Sequence, residues 1–147
     1  MRWIFAHCAR CFAPWALEKS VDRIADLSNL WIDISAVCSS AVFDILLRRF
    51  PAGRILYGSD GFAGWARGKY VWWGYTWDWM REGLISTPHA NSAATFVLYE
   101  ELRALGHSLR YAGWSSRQIE ALFWDNAVNL LNGRRAASSS AAYGPGA

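Results

Sequence analysis

The chain has 147 residues, a mass of 16.6 kDa and a formal net charge of +3, which fits one domain of ordinary size. At 53% hydrophobic residues it can bury a core, and its basic residues are scattered except for Arg48-Arg49 and Arg134-Arg135, which points away from a nucleic-acid face. It has no apolar run of about 18 residues to span a membrane. The start Met1–His7 is too soon polar for a secretory signal, and three cysteines do not build a disulfide scaffold, so a cytoplasmic home is expected.

Three short runs rich in β-branched and aromatic residues, Trp3–Ala6, Leu30–Ile34 and Ile55–Tyr57, read as strands of a parallel sheet buried on both faces. Between the first two, Pro14 opens a helix that places Leu17, Val21 and Ile24 on one face. Between the second and third, Ser39 and Ser40 precede a helix carrying Phe43, Leu46, Leu47 and Phe50, stopped by Pro51 and Gly53. Strand, helix, strand, helix, strand is the order of an α/β protein with crossover connections.

After Asp60 the character changes. Gly61–Lys69 reads as a loop. Tyr70–Glu82 reads as a helix with Trp73, Trp77 and Met80 on one face, although Gly74 weakens it. A longer helix is expected to start at Asn91 or Ser92 and to end before Gly106, burying Ala94, Leu98, Leu102 and Leu105. A last helix opens with a capping box, Ser115 and Gln118, and runs an apolar face through Ile119, Leu122, Phe123, Ala127, Leu130 and Leu131. Asn126 interrupts that face and reads as a hydrogen-bonded tie between helix and sheet. The domain is expected over residues 1–132, with a disordered tail over 133–147.

Ligands in parallel α/β folds gather at the C-terminal ends of strands. His7, Ser35 and Asp60 follow the three strand runs, so parallel strands place them on one rim. An imidazole and a carboxylate there could bind a metal or move protons; a core histidine and a turn carboxylate are the plainer alternative. Cys8 and Cys11, spaced by two residues after a strand, also admit a redox reading. A structural zinc site lacks ligands, since only Cys38 remains. The chain has no phosphate-loop, dinucleotide or serine-elbow motif.

The runs Ile4-Phe5-Ala6-His7, Asn29 to Ser35 and Arg54-Ile55-Leu56-Tyr57-Gly58-Ser59-Asp60, with Asn126-Ala127-Val128-Asn129-Leu130-Leu131 near the end, resemble the last three strands and closing helix of the amidohydrolase-related family. That resemblance covers roughly Arg2 to Leu131 and implies the C-terminal portion, about strands 6 to 8, of a (β/α)8 barrel of a metal-dependent hydrolase. It implies Asp60 as metal ligand and proton acceptor from a metal-bound water, His7 as substrate-polarising partner, and a divalent metal, zinc in many members, with a small-molecule substrate. A decarboxylase of the same family is the alternative it leaves open. On the rim, Trp65, Arg67 and Lys69 could cover a substrate and meet an anionic group.

The sequence departs from the family pattern: it holds only His7, His89 and His107, and no His-x-His pair. The expectation is therefore a truncated, split or mis-started product that is inactive by itself, or a noncatalytic half-barrel. A half-barrel with exposed sheet edges would associate with itself or with a complementary chain.

Overall fold

A computed structural model describes residues 1–81 and 95–133. Its centre is a three-stranded parallel sheet in the order β1 (Trp3–Phe5), β2 (Leu30–Asp33), β3 (Ile55–Leu56), with Trp3 opposite Leu30 and Asp33 opposite Leu56. The α/β reading is borne out.

The crossover between β1 and β2 contains two short helices, α1 (Pro14–Glu18) and α2 (Val21–Ala25), instead of one. The Leu17, Val21 and Ile24 face is kept: Leu17 and Val21 are fully buried, and Ile24 packs against the same cluster. Helix α3 (Ser40–Arg49) returns from β2 to β3 and buries Val42, Phe43, Leu46 and Leu47. These side chains meet Leu30, Ile32, Ile34 and Ile55 from one face of the sheet. Burying a residue such as Phe43 or Leu46 contributes about 1.5–3 kcal/mol.

Arg54 explains part of the Arg54–Asp60 motif. It is 7% exposed, lies over the Phe50 ring and donates to the carbonyls of Ala25, Leu27 and Leu30. One guanidinium therefore satisfies the end of α2 and the entry to β2.

Strand β1 departs from the expectation of burial on both faces: Trp3 is 49% and Ile4 54% exposed. The physical reason is its place at the end of the sheet, where it pairs only with β2 among the described residues.

The segment read as a helix over Tyr70–Glu82 is an antiparallel hairpin, β4 (Gly68–Trp73) and β5 (Thr76–Arg81), with Glu82 outside the described residues. Trp73 pairs with Thr76 across a two-residue loop whose first residue, Gly74, has φ +53°, a conformation glycine adopts without a Cβ clash. Aromatic residues alternate along both strands, so one set packs inward: Tyr70 stacks on Phe12 at 4.1 Å and Trp77 meets Phe12 edge-on at 4.7 Å. These contacts fix strands where periodicity alone also permitted a helix.

Helix α4 (Val97–Tyr111) runs on through Gly106 instead of ending before it. An interior glycine costs roughly 1 kcal/mol relative to alanine. Burial of Leu105 and Ser108 on either side, with Ser108 donating to the Ser40 carbonyl at 3.0 Å, offsets that cost. Leu98 and Leu102 are only partly buried; Asn91, Ser92 and Ala94 lie outside the described residues. Helix α5 (Ser116–Glu120) opens with the expected capping box. A π-turn, Ala121–Asp125, then leads into α6 (Asn126–Leu131). Its wider turn rotates the apolar stripe out of register, so Leu122 and Leu130 are buried while Phe123 is 40% and Leu131 84% exposed.

Helix α6 lies on the other sheet face, where Leu130 and Ala127 meet Trp31 and Leu56. Asn126 donates to the carbonyls of Ala52 and Ile55, both at 2.8 Å, the tie its position predicts. At the far end Arg2 donates to the carbonyls of Leu130 and Gly133, both at 2.8 Å. Residues 134–147, most of the expected tail, lie outside the described residues. No helix among the described residues is long and apolar enough to cross a membrane.

Candidate active site at the sheet rim

Because the three strands are parallel, their C-terminal ends share one rim, and the chain brings His7, Ser35 and Asp60 together there. His7 Nε2 is 4.0 Å from Asp60 Oδ1. On its other side, His7 Nδ1 is 3.2 Å from the Ser35 carbonyl oxygen and 3.0 Å from Ser35 Oγ. The imidazole is thus held between a buried serine and a partly exposed carboxylate.

Sequence reasoning gave no role to two further acids at this rim. Asp33 Oδ1 accepts from the Ser35 N–H at 2.9 Å, from Ser35 Oγ–H at short range and from the His7 N–H at 3.4 Å. A Cβ on Gly58 would stand 2.2 Å from Asp33 Oδ2, so only glycine fits beside this carboxylate. The signal was a lone carboxylate inside the apolar run Leu30–Ile34. Glu101, from α4, is fully buried; its Oε2 accepts from the Ala36 N–H at 2.9 Å, and its Oε1 has no hydrogen-bond partner. Burial chiefly pushes the Glu101 carboxyl up to about 8; the Ala36 N–H opposes this and the charges of Asp33 and Asp60 add to it. Its signal was helical spacing, three residues after Leu98 and four before Leu105.

The backbone at the rim is bent into the left-handed region at His7 (φ +53°), Cys8 (φ +50°), Ala9 (φ +57°), Arg10 (φ +61°), Ala36 (φ +60°) and Asp60 (φ +58°). Each such residue costs about 1–2 kcal/mol. The His7–Arg10 turn is retained by the His7 N–H bond to Asp33 and by burial of the Cys8 side chain. That same burial raises the Cys8 thiol far above its ordinary range, and Cys11 is raised by burial too. Neither is the low-pKa thiolate that redox chemistry needs, which argues against the redox reading.

A serine-nucleophile reading also fails on geometry. Ser35 is 3% exposed and its hydroxyl proton goes to Asp33, not to His7, so the oxygen is neither accessible nor activated.

Trp65 and Arg67 meet at Phe96: the Trp65 ring is 5.9 Å from it, edge-on, and the Arg67 guanidinium lies over it at 5.6 Å. Trp65 itself is 61% exposed. Lys69 Nζ sits 3.6 Å from Glu100 Oε2. Burial raises the Tyr70 phenol, and the nearby Asp60 charge adds to that, which puts this hydroxyl in the field of the rim.

A family model decides the lineage: the amidohydrolase model matches residues 1–133 of 147, which takes in every described residue. The chain belongs to the amidohydrolase family. No curated protein and no solved structure matches it significantly. As an amidohydrolase-family chain it belongs with hydrolases that act on small molecules and in general use divalent metals.

The rim meets that chemistry halfway. Asp60 offers a carboxylate oxygen and His7 an imidazole nitrogen, the donor types of a zinc-like ion. Bonds of about 2.0–2.2 Å set two ligands of one tetrahedral ion roughly 3.4 Å apart, somewhat closer than the 4.0 Å between them. Among the described residues no group of three or more His, Cys, Asp or Glu side chains could hold a metal. The pair fits part of a donor set and falls short of a complete one. His107 is exposed on α4, and His89 lies outside the described residues.

Proposed function

We propose that this amidohydrolase-family chain forms the last three strands of a (β/α)8 metal-dependent hydrolase barrel, with Asp60 as metal ligand and proton acceptor and His7 as substrate-polarising partner. The observation that carries the reading is the meeting of His7 and Asp60 at the C-terminal ends of the two outer strands of one parallel sheet, in a family member. A divalent ion held there, such as zinc, supplies Lewis acidity that brings the pKa of water toward neutrality. The protein's own part is to hold the Asp60 carboxylate where it can take up a proton and to present the His7 ring to a substrate oxygen. Trp65 and Arg67, both resting on Phe96, follow β3 on the same side and form the flank that a substrate would meet. The face bearing Asp33 and Gly58 is the one a closed barrel would turn inward; α6 covers part of it at Trp31 and Leu56.

The sequence lacks the His-x-His pair of the family, so the 147-residue chain by itself is expected to bind zinc weakly and to turn nothing over. The test is calorimetric titration of the chain with Zn²⁺ beside its Asp60→Asn variant. Weakening by about tenfold, or ~1.4 kcal/mol, supports the assignment; equal affinity removes Asp60 from the metal. Metal-dependent turnover by the isolated chain, lost in Asp60→Asn, would overturn the expected inactivity. A decarboxylase uses the same rim and metal, and the present residues do not distinguish the two reactions.

The exposed Trp3 and Ile4 on β1 favour a second reading, a noncatalytic half-barrel that pairs with a complementary chain or a second copy. Sedimentation separates the cases: a clean monomer at all concentrations counts against self-pairing.

A further inference from the structure

We propose that the buried Glu101 is a positioning residue for His7, bracing the Ser35-Ala36 turn that fixes the imidazole with its proton on Nδ1 and its Nε2 open toward Asp60. The argument begins with the protons. The Ser35 hydroxyl has one, and it goes to Asp33. Toward His7, therefore, Ser35 offers only acceptors: its carbonyl oxygen at 3.2 Å and its Oγ at 3.0 Å from Nδ1. An acceptor pair on Nδ1 requires a ring proton there, which leaves Nε2 as the nitrogen that faces Asp60.

This arrangement depends on where the Ser35 carbonyl points, and that is set by Ala36. Ala36 is a non-glycine residue at φ +60°, a conformation that costs about 1–2 kcal/mol. Its N–H is claimed by Glu101 Oε2 at 2.9 Å, across 65 residues of sequence. A fully buried carboxyl with one oxygen unpartnered is expensive to keep in a helix that could carry leucine there. Among the described residues, its bond to the strained turn is the one service it performs.

The inference rests on His7 being a site residue, but its test needs neither zinc nor turnover, so failure of the zinc titration leaves the result below standing, and the converse also holds. Ring nitrogens of the ¹⁵N-labelled 147-residue chain are read by long-range ¹H–¹⁵N correlation, about one unit above the ordinary histidine pKa of about 6.5. The His7 signals are assigned by their loss in His7→Gln. In the unaltered chain Nδ1 is expected to show the protonated-type shift and Nε2 the unprotonated one; the reverse pattern overturns the proposal. Glu101→Gln, whose amide oxygen still accepts from Ala36, keeps the pattern. Glu101→Leu, apolar and of similar size, loses the Nδ1–H form as the dominant species. Should that variant fail to fold, Glu101→Asp, which withdraws the carboxyl by one methylene, is read the same way. A folded Leu or Asp variant with the unaltered His7 pattern refutes the role.

Discussion

The two outer strands of the parallel sheet finish their hydrogen-bonding ladders in opposite ways. At β3 the free edge is sealed: the Tyr57 N–H donates to the Leu122 carbonyl at 3.2 Å, and the Ile55 carbonyl accepts from Asn126. The π-turn places both partners within reach, which gives this rare geometry a structural use. At β1 the side chains of Trp3 and Ile4 stand half in solvent, and the strand pairs only with β2 among the described residues. A sealed edge ends a sheet, whereas an open one is a template for another strand. In this chain the β3 side is capped and the β1 side is open; closing the proposed barrel requires the Ile55 and Tyr57 edge groups to exchange these partners for the barrel's first strand.

The largest effect should come from breaking the seal. Asn126→Leu keeps the volume and apolar contacts of α6 but leaves the Ala52 and Ile55 carbonyls without their donor. Buried groups orphaned in this way cost about 1–3 kcal/mol each, so a loss of about 2–6 kcal/mol is expected in urea unfolding. A loss below about 0.5 kcal/mol, the level of an ordinary surface change, would mean that water replaces the amide and that the edge is not sealed by Asn126.

This contrast also marks how far the sequence could be read. Asn126 was legible because an amide in an apolar stripe needs partners. The strands at Leu30 and Ile55 were legible because short β-branched runs between helical patterns have few alternatives. The hairpin was not. Trp73, Trp77 and Met80 satisfy a helical spacing, while Tyr70, Trp72, Trp77 and Trp79 satisfy a strand alternation. The arbiter is the packing of Tyr70 and Trp77 on Phe12, from the far end of the chain. The site divides in the same way. His7 and Asp60 follow from strand ends, whereas Asp33 matters through its bonds to His7 and Ser35 and Glu101 through its burial, and both are tertiary facts.

A second prediction uses that buried acid. Glu101 is held protonated in the fold to about pH 8, against an ordinary value of 4.5. The native state therefore binds a proton that the unfolded chain has released between these two values. Stability from this group is full below about 4.5, declines as pH rises toward about 8, and is level above that. Urea unfolding across this window should show the decline, and Glu101→Gln, with no proton to lose, should flatten it. An unchanged slope in Glu101→Gln would place the titration on another group.

The smallest effect on stability, and the sharpest test of the open edge, is Ile4→Lys. Ile4 is 54% exposed on an end strand, so its replacement should change the unfolding free energy by no more than about 0.5 kcal/mol. A charge on an edge strand nevertheless opposes the approach of a second strand. If β1 is a surface that another strand continues, any concentration-dependent association of the chain should weaken in Ile4→Lys while the monomer unfolds as before, as sedimentation beside urea denaturation would show. If instead the unfolding free energy falls by several kcal/mol, Ile4 is buried in the solution fold, and the asymmetry between the two edges is lost. If the unaltered chain sediments as a monomer at every concentration, the open edge is not used for self-pairing, and its continuation falls to other strands of the barrel or to a complementary chain.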